Sequence, residues 1–115
     1  MYIAENEHTA YFDVDETLVM HHAHNKDLYV TCPYTNIQEH LTVHREHVRQ
    51  LIKNKARGNF VVVWSHAGYK WAEAVVKALN LEEHVDLIIT KPGKAYDDLL
   101  PNEFITNRVY LPFRG

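Results

Sequence analysis

A chain of 115 residues with 46% hydrophobic and 23% charged residues is sized and composed for one packed domain, which excludes a disordered polymer and a pair of ordinary-sized domains. Its net charge of −3 provides no global basic field, so nucleic acid is not an expected partner except as a substrate. The single cysteine, Cys32, excludes an internal disulfide and fits a reducing, cytoplasmic compartment.

The opening stretch MYIAENEHTA has neither a basic start nor an apolar run, and no window of about 18 apolar residues occurs anywhere, so no export signal and no membrane span are expected. Residues 9–12 (TAYF) form a short β-prone run that stops at Asp13 and reads as a buried strand. Residues 18–35 are polar and rich in histidine, with a β-prone piece at 28–31 (LYVT) ahead of a turn centred on Pro33. Residues 37–43 then alternate, with Ile37, Glu39, Leu41 and Val43 on one side and Gln38, His40 and Thr42 on the other, which predicts a hairpin-like flap.

From residue 44 to 55, Val48, Leu51 and Ile52 recur at helical spacing, and Gly58 stands where a helix stop is expected. Residues 60–64 (FVVVW) are continuously apolar and rich in β-branched side chains, the mark of a central strand covered on both faces. Ala72, Val75, Val76 and Leu79 outline an amphipathic helix of about 11 residues beginning near Gly68. Residues 85–89 (VDLII) predict a third strand. Residues 108–111 predict a fourth, after the polar stretch 101–107.

Strand, flap, helix, strand, helix, strand is the order of a parallel sheet with helical crossovers. Ligands in such sheets bind beyond the carboxyl ends of the strands. Those ends carry Asp13-Val-Asp15-Glu-Thr17, then Ser65-His-Ala-Gly68, then Lys91-Pro with Asp97-Asp98 close behind. Carboxylates, a hydroxyl and an amine meeting at one edge suit phosphoryl transfer, in which a nucleophile, a metal and cations surround one phosphorus. Asp13 and Asp15 are the most telling pair, because two acids at the end of an apolar strand are costly without a compensating cation or donors.

The run Phe-Asp13-Val-Asp15-Glu-Thr17-Leu resembles the first motif, D-x-D-x-T after a hydrophobic strand, of the haloacid dehalogenase superfamily. FVVVW-Ser65 resembles its second motif, Lys91 its third and Asp97-Asp98 its fourth, all in order. The resemblance implies a single domain over residues 1–115 with a small, mainly parallel, three-layer Rossmannoid α/β fold. The segment between Thr17 and His44 is too short for a cap domain, so a minimal flap and an open site are expected. An uncapped site must accept a bulky substrate or be closed by homo-oligomerisation.

The implied activity is magnesium-dependent hydrolysis of phosphate monoesters. Asp13 is then the nucleophile, forming an aspartyl-phosphate, and Asp15 the acid that protonates the leaving oxygen and later activates water. Ser65 and Lys91 bind the phosphate, with the amides of His66 and Ala67 aimed at the same anion. Magnesium falls to Asp13, the backbone carbonyl of Asp15, and a carboxylate from Asp97 or Asp98, of which Asp97 is preferred. The phosphorylated substrate is not specified, though the flap with Tyr29 and Tyr34 is where selectivity belongs.

Two other readings compete. Nine histidines are unusual in so short a chain, and His21, His22, His24, His40, His44 and His47 are spaced so that imidazoles could gather around zinc or nickel. His22 or His24 could instead meet the phosphate or the leaving group. A third reading keeps the fold as a catalytically silent binding module.

Overall fold

The computed structural model describes residues 8–114, and the reading of the first seven residues lies outside them. In chain order the elements are β1 (Thr9–Asp13), β2 (Val19–Met20), β3 (Leu28–Thr31), β4 (Gln38–Val43), α1 (Arg45–Ala56), β5 (Phe60–Ser65), α2 (Tyr69–Ala78), β6 (Leu87–Thr90) and the single turn α3 (Pro101–Phe104). β5, the β-branched run, pairs in parallel on both edges to give the order β1-β5-β6. Register sets Asp13 beside Trp64 and Ser65 beside Thr90, so all three strands end at one edge. β6 begins two residues later than expected because Asp86 is drawn into side-chain pairing. Its carboxylate accepts from the Val61 amide at 2.7 Å and pairs with Lys55.

Alternation along the strands places Phe12, Val61, Val63 and Ile88 on one face, where they join a single core with Leu51 of α1 and Trp71, Ala72, Val75 and Val76 of α2. Both crossovers step the same way across the sheet, and right-handed connections then bring both helices to that face. The α/β class and the mainly parallel sheet agree with expectation and the described residues contain no cap domain, but the helices cover one face of the sheet where a three-layer arrangement would cover two. The opposite face carries Tyr11, Phe60 and Leu87, each close to half exposed, around a buried Val62.

The flap is a second, antiparallel sheet of order β2-β4-β3. Its inner side is core. Val30 and Leu41 are buried among the residues of α2 and the loop after β1. Thr42, expected on the outer side, is also buried, because β2 covers β4 there and its hydroxyl donates to the Asn25 carbonyl. Leu41→Ala should therefore cost about 2–5 kcal/mol in chemical denaturation, as a body-core truncation does. A loss below about 0.5 kcal/mol would mark a flap that peels away from the domain.

α1 begins one residue later than the spacing indicates, since His44 is its N-cap: its Nδ1 accepts the His47 amide at 3.2 Å. His47 and Leu51 form the buried stripe, while Ile52 lies at the surface. The rings of His44 and His47 stack at 3.7 Å, and both are tied to the backbone of Leu111. Each tautomer follows from its partners. His44, accepting at Nδ1, donates from Nε2 to the Leu111 carbonyl at 3.1 Å. His47 accepts the Leu111 amide at Nε2 (2.8 Å) and donates from Nδ1 to the Thr17 carbonyl at 2.8 Å.

These bonds engage both the N–H and the C=O of Leu111, the last residue of the strand expected at 108–111, and that strand is not formed.

Burial, chiefly, and the neighbouring His44 ring hold the His47 pKa below its ordinary value of 6.5. A lowered folded pKa means that the folded state prefers the neutral ring. The contribution to stability is then complete above about pH 6.5 and is lost as pH falls through the folded value. The thermal midpoint should fall between pH 7 and pH 5 with a steeper slope in the native protein than in His47→Gln, which cannot charge; equal slopes would remove this role.

Candidate active site

The loop after β1 folds back on the Val14 carbonyl, which accepts from the amides of Thr17, Leu18 and Val19 at 3.2, 2.9 and 3.2 Å. Glu16 takes a left-handed conformation (φ 60°), the kind of local strain that surrounding bonds must hold in place. Here its amide donates to the Val19 carbonyl at 2.7 Å and its side chain accepts the His21 amide at 2.9 Å. The result lifts Asp13 and Asp15 to the sheet edge, each carboxylate about one-third exposed.

Asp13 is held by two partners. Its Oδ2 accepts the Thr17 hydroxyl at 3.2 Å, and its Oδ1 lies 3.8 Å from the Lys91 ammonium. Lys91 arrives from the end of β6, its amide donating to the Ser65 carbonyl at 2.8 Å and its ammonium resting 5.5 Å over the Trp64 ring. Thus Asp13 and Lys91, distant in sequence, meet directly. Asp15 has different company: its Oδ1 lies 2.6 Å from His21 Nε2 and accepts the Trp71 indole N–H at 3.0 Å. Neither contact is foreseen from spacing, since His21 reads as one of several dispersed histidines and Trp71 stands outside the apolar stripe of Ala72, Val75, Val76 and Leu79 that outlines its helix.

Ser65 is fully buried, and its Oγ accepts the Ala67 amide at 3.1 Å. It caps its own turn and not α2, whose N-cap is Gly68. The Ala67 amide, expected to face an anion, is thereby engaged within the loop. Gly68 has φ 115°, and a Cβ there would lie 2.3 Å from the Tyr34 hydroxyl. Tyr34, at the tip of the β3–β4 hairpin, accepts the Lys70 amide at 3.2 Å and so ties the flap to the start of α2 beside the site.

The acids after β6 behave otherwise than expected. Asp97 turns its Oδ1 to the Leu99 amide at 2.9 Å, and among the described residues no group of three or more His, Cys, Asp or Glu side chains converges to hold a metal. Neither Asp97 nor Asp98 completes a carboxylate set with Asp13 and Asp15. The short link from Lys91 leaves both in an exposed, irregular stretch.

The histidine-metal reading finds no assembly either: His21 is on Asp15, His40 packs edge-on to Tyr29, and the ring nitrogens of His44 and His47 have backbone partners. Magnesium needs hard oxygen ligands and retains several waters, so one carboxylate and one carbonyl are enough to begin a site. Asp13, part-exposed and with lone pairs to spare, and the Asp15 carbonyl fit that requirement.

Gly68→Ala should destabilise the fold by about 1–3 kcal/mol through its positive φ and by a further amount through Tyr34. In a Tyr34→Ala background the cost of Gly68→Ala should shrink, measured as a non-zero coupling in a double-mutant cycle of unfolding energies.

A family model described as NLI interacting factor-like phosphatase matches residues 9–95, from the first residue of β1 to just beyond Lys91. No match was found among the curated proteins or the solved structures. Among the described residues no helix is long and apolar enough to cross a membrane.

Proposed function

The chain belongs to the NLI interacting factor-like phosphatase family, and from that premise we propose that it hydrolyses phosphate monoesters with magnesium, using Asp13 as nucleophile. The observation that carries this reading is the state of Asp13: a part-exposed carboxylate at a strand end, fixed by Thr17 through one oxygen and facing Lys91 with the other.

In this scheme Oδ1 of Asp13 attacks phosphorus in line while the bond to the leaving oxygen breaks. Asp15 gives that oxygen a proton. Asp15 then takes a proton from water, which attacks the aspartyl-phosphate, releases inorganic phosphate and restores the Asp13 carboxylate. Lys91 keeps the nucleophile and the incoming anion together against their mutual repulsion. Ser65 retains an O–H for the phosphate, although its burial means that its first duty is to shape the turn.

Magnesium, held by Asp13 and the Asp15 carbonyl, would supply charge neutralisation at the phosphoryl oxygens. Asp97 and Asp98 have no part in this scheme. Among the described residues the site has no cap to select a small metabolite, which favours a phosphate presented on a larger molecule or a protruding chain.

Hydrolysis of p-nitrophenyl phosphate with added magnesium should be lost on chelation. Asp13→Asn should lower turnover by a factor on the order of 10³ or more, with an unchanged thermal midpoint showing that the fold survives. Magnesium-dependent turnover that persists in Asp13→Asn would rule out the nucleophile assigned here.

A further inference from the structure

Asp15 is gripped by one oxygen. Its Oδ1 receives His21 Nε2 at 2.6 Å and Trp71 Nε1 at 3.0 Å, and the two anchors come from independent parts of the chain. Trp71 is buried in α2 among the core residues, so its indole cannot swing. His21 is fixed through its backbone, whose amide donates to Glu16 Oε1 at 2.9 Å and whose carbonyl accepts from Lys26.

Indole N–H is a donor alone, and an ionised carboxylate accepts alone, which makes His21 Nε2 the second donor. Two N–H groups on one oxygen favour it as the carbonyl-like oxygen of the carboxyl group, because a carboxylic O–H oxygen is the weaker acceptor. Oδ2 is left as the oxygen that can carry a proton.

Building on the phosphatase reading above, we infer that His21 and Trp71 are positioning residues that clamp Oδ1 of Asp15 and turn Oδ2 toward the leaving oxygen of the substrate. The bland reading is that Asp15 merely satisfies a buried indole. The two differ in what happens to leaving groups. A clamp that aims a proton matters most when the leaving oxygen is a poor one, since nitrophenolate departs with little help and an alkoxide does not. A merely structural role weakens both reactions together.

The test compares kcat/KM, which reports steps up to leaving-group departure, for p-nitrophenyl phosphate and glycerol 2-phosphate with magnesium. Trp71→Phe keeps the ring and removes the donor. His21→Leu removes the other, and His21→Gln places an amide N–H close to the lost Nε2. Trp71→Phe and His21→Leu should each lower kcat/KM for the alkyl ester at least about tenfold more than for the aryl ester, with KM little changed, and His21→Gln should recover most of the difference.

Equal losses on both esters, or a His21→Gln protein no better than His21→Leu, would overturn the clamp. An independent arm reads the contact without turnover: the Trp71 indole N–H resonance should move upfield in Asp15→Ala, and an unmoved resonance also overturns it. If the native protein cleaves neither ester, it is the phosphatase reading that fails, while an unmoved resonance would still overturn the Asp15–Trp71 contact on which the clamp rests.

Discussion

Parallel pairing on both sides of β5 is the constraint from which the rest of the molecule follows. Its register brings Asp13, Ser65 and the residues after Thr90 to a common edge, and Lys91 would lose its place beside Asp13 if either ladder slipped. A slip of one residue would invert the faces and expose Val61 and Val63 while burying Phe60 and Trp64, so the core itself enforces the register. The Lys91 amide, bonded to the Ser65 carbonyl, extends the β5–β6 ladder one step past the strand. That final step is what delivers the ammonium to Asp13.

A second line of bonds reaches the same carboxylate from the far end of the chain. Leu111 is held by His44 and His47, His47 donates to the Thr17 carbonyl, and the Thr17 hydroxyl donates to Asp13. Every link is a hydrogen bond between buried or half-buried groups, where a missing partner is expensive. The threonine of the D-x-D-x-T run thus has two functions: its hydroxyl orients Asp13, and its carbonyl anchors the first turn of α1. The tail contributes no strand to the sheet, yet it is bound to the loop on which the site is built.

Strands and helices were largely legible because they follow from apolar periodicity, and β5 most of all, where five consecutive apolar residues admit one role. The flap was legible as a hairpin but not as core. Alternation shows which side of a strand is apolar, and it does not show how completely a neighbouring element covers it. Asp13 and Lys91 could be paired through strand order. The partners of Asp15 could not, because Trp71 lies on a helix face whose rotation at that turn depends on packing, and His21 was one histidine among many.

The tail misled for a related reason. Residues 108–111 have strand-forming composition, but propensity does not record that two imidazoles compete for the backbone. Asp97 resembles a fourth-motif acid through its order after Lys91, whereas its side chain closes a local turn, a pairing that Asp makes readily without tertiary help.

Charge accounting at the edge explains why the proposed metal and the proposed acid belong together. Lys91 offsets Asp13, while Asp15 is stabilised by two N–H donors that bring no guaranteed positive charge. A phosphate monoester brings close to two further negative charges into this half-exposed space. Coulomb repulsion between unit charges about 4 Å apart is roughly 4 kcal/mol at an effective dielectric near 20, so an ionised Asp15 beside the substrate would oppose binding strongly. In the proposed scheme a divalent cation on Asp13 would remove most of that opposition, and the free oxygen of Asp15 is the one from which the leaving oxygen would take its proton.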